Sequence, residues 1–162
     1  MITLRLTIAL LLWQFALAGV LPSKHQLAES RLAVITSPSS SIREITLTEL
    51  RWLYLGRTTR WPDGERIVLL VRPGTSFEQR VFLKRVVEMA DIDYAQHWIG
   101  EVFRGRAASP PIVARSTAEA KQVVAADPHA IAYIRASDAD ASVRVVRIDG
   151  KLPQDPGYPL AE

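Results

Sequence analysis

The stretch that decides the fold covers residues 46–72 and reads TLTELRWLYLGRTTRWPDGERIVLLVR. It predicts a helix beginning near Thr46, because Glu49 follows three residues later, at the spacing of a capping box. Gly56 lies where a left-handed residue would end that helix. A Trp-Pro-Asp-Gly sequence then predicts a turn. The continuous apolar run at 67–71 is short and rich in branched residues, which predicts a buried strand.

Strand and helix patterns alternate on both sides of this stretch. Residues 32–35 predict a first buried strand, and a loop at 73–76 leads into a predicted helix at 77–89. Asp91 is predicted to cap a third helix. That helix has a broad apolar face formed by residues at spacings of three and four, namely Ile92, Ala95, Trp98, Ile99, Val102 and Phe103.

The remaining segments continue the alternation. Ser116 and Glu119 form a second predicted capping box, which opens a helix ending near Ala126. Residues 130–134 and 143–148 are predicted strands. We therefore predict an α/β fold with a mixed, largely parallel sheet flanked by helices.

The N-terminal residues predict export. Arg5 precedes an apolar run at 6–18, and Ala16-Leu17-Ala18 supplies the small residues that signal peptidase requires. The run is too short to span a bilayer, which needs about 20 residues. We predict a signal peptide at 1–18, a periplasmic mature chain and no stable membrane span after cleavage.

The mature chain is predicted to contain one domain. A loose N-terminal segment at 19–30 precedes a domain at 31–150, and an irregular Pro-rich tail follows at 151–162. The chain has 162 residues, of which 48% are hydrophobic and 23% charged, a composition typical of globular domains. The formal net charge is only +3, which argues against nucleic acid as a partner.

The sequence offers little support for an enzyme. It contains no cysteine and no Gly-x-Ser-x-Gly motif for a nucleophile. His25, His97 and His129 are scattered and lack the spacing of metal ligands. We therefore predict no catalytic residues, no metal site and no cofactor. His97 and His129 are expected to face solvent.

The strongest candidate for a binding site is the loop after the apolar run at 67–71. Its residues Arg72, Gly74, Thr75 and Ser76 combine a guanidinium, two hydroxyls and the free backbone N–H groups of a helix start. Such groups together can hold an oxyanion. An ordinary strand-to-helix loop also carries Gly and a capping Ser, so a purely structural role stays open.

Three segments resemble the second lobe of the periplasmic phosphate-binding proteins of ABC transporters. Tyr54-Leu55-Gly56-Arg57, followed by Trp61, resembles the Phe-Leu-Gly-Lys segment and Trp-containing turn of that family. Residues 72–76 resemble its phosphate-contacting loop. Residues 128–134 resemble its Pro-Gly-Ala-Ile-Gly-Tyr-Val strand, with both glycines replaced. The resemblance covers residues 35–148 and implies the fold of one lobe of a type II periplasmic binding protein.

The resemblance also implies a site and a function. Arg72 and Ser76 match phosphate contacts of the family, whereas Phe77 and Glu78 replace its Gly and Thr, and a carboxylate at Glu78 would repel an anion unless it points away. The sequence is similar to short, stand-alone, single-lobe forms. We expect a secreted accessory solute-binding-like protein that recognises phosphate or another oxyanion. The alternative is a ligand-free interaction module that keeps this fold and docks to a protein of the cell envelope.

Overall fold

The computed structural model describes residues 30–162. The predicted signal peptide and nearly all of the predicted N-terminal segment lie outside these residues. No helix within 30–162 is long and apolar enough to cross a membrane. The same part of the chain holds no group of three or more His, Cys, Asp or Glu side chains placed to bind a metal ion.

A five-stranded sheet forms the centre of the molecule. Its strand order is β4-β3-β5-β1-β6. Strands β4, β3 and β5 are parallel, and β1 runs antiparallel to both β5 and β6. The prediction of a mixed, largely parallel sheet is therefore confirmed. The strands of this sheet are β1 (Leu32–Thr36), β3 (Val68–Val71), β4 (Ile112–Val113), β5 (Ala130–Arg135) and β6 (Arg144–Val145).

The predicted strand at 143–148 is divided between two sheets. Its first part, β6, pairs with β1, whereas β7 (Arg147–Ile148) pairs in parallel with β2 (Glu44–Ile45) in a separate two-stranded sheet. Val146 lies between the two parts and donates its N–H to the carbonyl of Val34. The sequence analysis missed β2, because a two-residue strand leaves no periodic signal.

Four α-helices within residues 30–162 flank the sheet, and each begins close to its predicted start. They are α1 (Leu47–Tyr54), α2 (Phe77–Phe82), α3 (Asp91–Phe103) and α4 (Thr117–Ala126). A π-helical turn at Leu83–Val87 continues α2, and a 3₁₀ turn at Ala136–Asp138 follows β5.

The cap predictions for α1 and α4 had different outcomes. Thr46 and Glu49 form the predicted capping box, in which each side chain bonds the backbone N–H of the other. At α4, Ser116 accepts from the N–H of Glu119 as predicted, but the Glu119 carboxylate bonds the N–H of Arg115 instead of closing the box. Gly56 follows α1 with a φ of +70°, as a left-handed helix end requires.

The core occupies both faces of the sheet, because successive residues of a strand point to opposite sides. On one face, Tyr54, Phe82 and Tyr133 form an aromatic cluster, with the rings of Phe82 and Tyr133 stacked 3.8 Å apart. On the other face, small and branched residues of the sheet pack against α4. The tail at 151–162 is irregular, yet Tyr158 and Leu160 are buried in the first cluster.

Helix α3 departs from the burial that its apolar pattern suggests. Tyr94, Trp98 and Glu101 face inward, and Tyr94 Oη and Trp98 Nε1 both donate to the carbonyl of Tyr54. Ile99 is 70% exposed and Phe103 is 91% exposed. The predicted apolar face exists, but it turns mostly outward because polar contacts of the inward aromatic residues set the rotation of the helix.

The tryptophans differ in burial, since Trp52 is 43% exposed, whereas Trp61 and Trp98 are buried. One expectation about a single side chain needs correction. His97 was expected to face solvent. It is half-buried, and its Nε2 lies 2.9 Å from the carbonyl oxygen of Leu55.

Candidate functional site

The loop at 72–76 joins the end of β3 to the start of α2. A turn closes it, in which the N–H of Ser76 donates to the carbonyl of Pro73 over 2.8 Å. The Ser76 hydroxyl then accepts from the N–H of Gln79 and caps α2. Because β3, β4 and β5 are parallel, their carboxyl ends meet at this edge of the sheet, the edge where α/β proteins place ligands.

Arg72 is held beneath the loop and is only 7% exposed. Its Nη1 donates to the carbonyl of Ala114 over 2.8 Å, and its backbone N–H donates to the Tyr133 hydroxyl over 3.2 Å. Its Nε is buried and has no hydrogen-bond partner within residues 30–162. A buried donor without a partner is costly, so this atom marks a place where an acceptor would be stabilising.

A chain of polar contacts connects Arg72 to three residues that were not predicted as part of the site, namely Tyr133, Gln79 and Asp91. The Tyr133 hydroxyl hydrogen-bonds the Gln79 side-chain oxygen, and Gln79 Nε2 donates to Asp91 Oδ1 over 3.2 Å. Burial raises the pKa of Tyr133 well above its ordinary value, so the hydroxyl stays protonated and donates. This network fixes the positions of Arg72 and the loop.

Asp91 lies against Gly74. A Cβ built on Gly74 would stand 2.2 Å from Asp91 Oδ2, so only glycine allows this approach. The prediction that Asp91 caps α3 is wrong, because Ala90 occupies the N-cap position without a side-chain bond. The carboxylate contacts the loop instead. No sequence spacing signals this contact, which joins residues 17 positions apart.

The other two predicted site residues lie in the same loop. Thr75 is exposed, and its carbonyl accepts from Arg80 Nη1 over 3.0 Å. Ser76 is half-buried, and its hydroxyl oxygen already accepts a bond as the cap of α2, which leaves its O–H free to donate. All four predicted residues lie in this loop, and Arg72, the most buried of them, lines the groove described below together with Gly74, whereas Thr75 and Ser76 do not.

Glu78 carries the charge that would most obviously oppose an anion here. It is buried, and its Oε1 lies 3.4 Å from Nε of Arg135. The Arg135 guanidinium also lies over the Phe77 ring, 4.2 Å from its centroid. This ion pair offsets the charge of Glu78, so the carboxylate does not by itself exclude an anion from the loop.

A groove of about 600 Å³ opens beside the loop. Its polar end is formed by Arg72, Gly74, Gln79 and Asp91. The rest of its lining is almost entirely apolar and comes from β3, the loop after it, α3 and the segment leading through β4, namely Val71, Pro73, Tyr94, Ala95, Trp98, Ile99, Val102, Phe103, Pro110, Pro111 and Val113.

Comparison with known proteins identifies a similar phosphate-binding protein. The phosphate-binding protein PstS of Bacillus subtilis is 24% identical over 135 residues, covering 80% of this chain and 40% of its own length. No protein-family model matches the chain.

Solved structures extend this finding. A protein of Clostridium perfringens, described as a phosphate ABC transporter substrate-binding protein with bound phosphate, superimposes with a TM-score of 0.62 and 23% identity, covering 76% of this chain and 46% of that one. An ABC-type phosphate transport receptor of Vibrio cholerae gives a TM-score of 0.62 at 18% identity, with 76% and 48% covered. The chain has the fold of one lobe of such a protein.

The resemblance that the sequence analysis stated is therefore confirmed at the level of fold. The chain spans less than half the length of the Bacillus, Clostridium and Vibrio proteins. These relatives are binding proteins of phosphate transport.

Proposed function

We propose that this chain is a secreted accessory solute-binding-like protein that holds a phosphate-type oxyanion at the loop 72–76. The observation that carries the proposal is Arg72, which is buried at the carboxyl end of β3, lines the groove and has a buried Nε without a partner among residues 30–162. Its Nη1 is anchored on Ala114, so the guanidinium is already oriented before a ligand arrives. A preorganised donor loses little entropy on binding.

Hydroxyl groups at the opposite end of the loop supply further donors. Thr75 and Ser76 follow Gly74 in the chain, and the Asp91 carboxylate occupies the space beside that glycine. Guanidinium and hydroxyl donors of this kind form the charge-assisted bonds that oxyanions accept. The relatives named above, including one solved with bound phosphate, support phosphate as the first anion to test.

The affinity of this chain alone is expected to be weak. The chain spans less than half of its relatives, so the groups described here are a partial shell for an anion. We expect a dissociation constant on the order of millimolar, which corresponds to about −4 kcal/mol.

Titration by ¹H–¹⁵N NMR tests this proposal directly. Phosphate and sulfate are added to the wild-type protein at constant ionic strength, with sodium chloride as the matched control. We expect saturable shifts of the amides of residues 72–79 with phosphate and none with chloride. Because Arg72→Gln can disturb folding, Thr75→Val at the exposed position serves as a second variant. Absence of saturable shifts at tens of millimolar phosphate would refute oxyanion binding.

Export is a separate part of the proposal. Arg5, the apolar run at 6–18 and Ala16-Leu17-Ala18 support cleavage after Ala18. Intact mass and N-terminal sequencing of the native protein should give a chain that begins at Gly19 and is recovered from the periplasmic fraction. A chain that retains Met1 in the cytosol would contradict export.

A ligand-free interaction module of the cell envelope is the second candidate. The observation that favours it is the apolar surface formed by Ile99, Phe103, Ile112 and Val113, each of them about half exposed or more. Large exposed apolar patches on soluble proteins often mark interfaces. The NMR titration separates the two candidates, because a module without a ligand would leave the loop amides unchanged.

A further inference from the structure

The groove beside Arg72 is too large and too apolar for an inorganic oxyanion alone. It measures about 600 Å³, which is within the range of sites for small organic molecules. A four-oxygen anion would occupy only its polar end. The remaining walls are aromatic, branched aliphatic or proline side chains, which offer such an anion no hydrogen bonds.

The exposure of these walls also favours an organic ligand over an inorganic oxyanion. Ile99 is 70% exposed, Phe103 is 91% exposed and Val113 is 51% exposed, although all three line the groove. Leaving such side chains in water is unfavourable, and an apolar ligand body would remove part of that surface from water.

Two charged residues line the groove within residues 30–162. Arg72 is the cationic one, and its Nε is buried and has no partner in that part of the chain. Asp91 is the anionic one, and its Oδ1 accepts a hydrogen bond from Gln79.

We propose that the site takes an amphipathic organic anion, with an anionic phosphate or carboxylate head group at Arg72 and an apolar body along α3. This inference rests on the proposed oxyanion site and names its ligand class. The combination of one buried guanidinium with predominantly apolar walls selects this occupant.

A series of alkyl phosphates tests the inference. Inorganic phosphate and methyl, butyl and hexyl phosphate are titrated into the protein by calorimetry and NMR, and 1-hexanol serves as the ligand without a head group. We expect affinity to rise about threefold to fourfold for each methylene that the groove buries. Hexanol should bind far more weakly than hexyl phosphate, because it lacks the charge that pairs with Arg72.

Variants on α3 test whether the apolar part of the ligand lies along this helix. Phe103→Gln and Ile99→Gln should flatten the dependence of affinity on chain length. Ile92→Gln is the matched control, because Ile92 is also exposed on α3, at 64%, but does not line the groove. It should keep the full chain-length dependence.

The outcomes separate this inference from the proposed function. Equal affinity for inorganic and hexyl phosphate would overturn the organic ligand while the oxyanion site stands. No response to any anion would overturn both. Equal binding of hexanol and hexyl phosphate would exclude a role for Arg72 and overturn the inference. Self-association that Phe103→Gln abolishes, without any ligand response, would assign the groove to a second copy and also overturn it.

Discussion

Asp91 and Gly74 are in contact across the candidate site, and the contact depends on the absence of a side chain at Gly74. The Asp91 carboxylate fills the space that a Cβ at Gly74 would occupy, with Oδ2 only 2.2 Å from that position. The φ angle of Gly74 is not in the left-handed region. Glycine is therefore needed here because a side chain would clash with Asp91, and not because of its backbone conformation. The contact places an acidic group permanently beside the loop.

This relationship predicts a specific coupling between two substitutions. Gly74→Ala should destabilise the domain by about 1 kcal/mol, because Asp91 must move and lose its bond from Gln79. In the Asp91→Ala background the same change should cost nothing or stabilise by about 0.5 kcal/mol, since alanine reduces the entropy of the unfolded chain. Urea melts of the four proteins of this cycle measure the coupling. An equal cost in both backgrounds would show that Asp91 is not the obstacle.

The sequence predicts features that a few neighbouring residues determine. The Thr46–Glu49 box, the left-handed Gly56 and the Ser76 cap all depend on hydrogen bonds or φ angles within four residues. The loop at 72–76 belongs to the same class, because a strand end, a glycine and a helix cap are adjacent in the chain. Its position at the edge of the sheet follows from the alternation of strands and helices.

Contacts between distant residues explain what the sequence analysis missed. Tyr133 reaches Gln79 across 54 positions, and nothing in either segment signals the pairing. The apolar spacing of α3 predicts that its residues share a face, but periodicity does not reveal what covers that face. Tyr94 and Trp98 anchor the helix through hydrogen bonds to Tyr54, and this leaves Phe103 exposed.

Gly56 should be more sensitive to substitution than its backbone angle alone implies. Its φ of +70° makes Gly56→Ala cost about 1 kcal/mol, and a new Cβ would stand 3.1 Å from Cη2 of the buried Trp98. We therefore expect a total loss of about 2 kcal/mol in denaturant melts. Gly105→Ala is the matched control, because Gly105 has a φ of +69° and no neighbour within 4 Å. Equal losses at the two positions would leave no role for the Trp98 contact.

Asp140 should make stability depend on pH in the acid range. Hydrogen bonds from Lys121, and then from the hydroxyl and N–H of Ser142, lower the pKa of Asp140 to about 2. The unfolded value is about 3.9, so this stabilisation is complete above pH ~4 and is lost as the pH falls through about 2.

Two measurements check this expectation. Carbon-detected NMR of the Asp140 carboxyl should give the lowered pKa directly, and Lys121→Gln should move it upward. The difference in unfolding free energy between wild type and Asp140→Asn should shrink between pH 4 and pH 2. A difference that stays constant over this interval would contradict the assigned pKa.

Tyr133→Phe should disturb the candidate site from within the core. It removes the acceptor of the Arg72 N–H and the donor to Gln79, and both partners are buried. Leaving them unsatisfied should cost about 2 kcal/mol. The amide signals of residues 72–79 should also shift, because the network that fixes the loop is broken.

Tyr54→Phe is the control for this prediction, since the Tyr54 hydroxyl is equally buried and belongs to the same aromatic cluster. It lies within hydrogen-bonding distance of the carbonyls of Leu70 and Ile131, at 3.0 and 3.2 Å, and no bond connects it to the loop. Loss of this hydroxyl should lower the free energy of unfolding by about 1 kcal/mol. The amide signals of residues 72–79 should not shift. If both variants move the loop signals equally, the effect comes from the aromatic packing, and Tyr133 has no separate role in positioning Arg72.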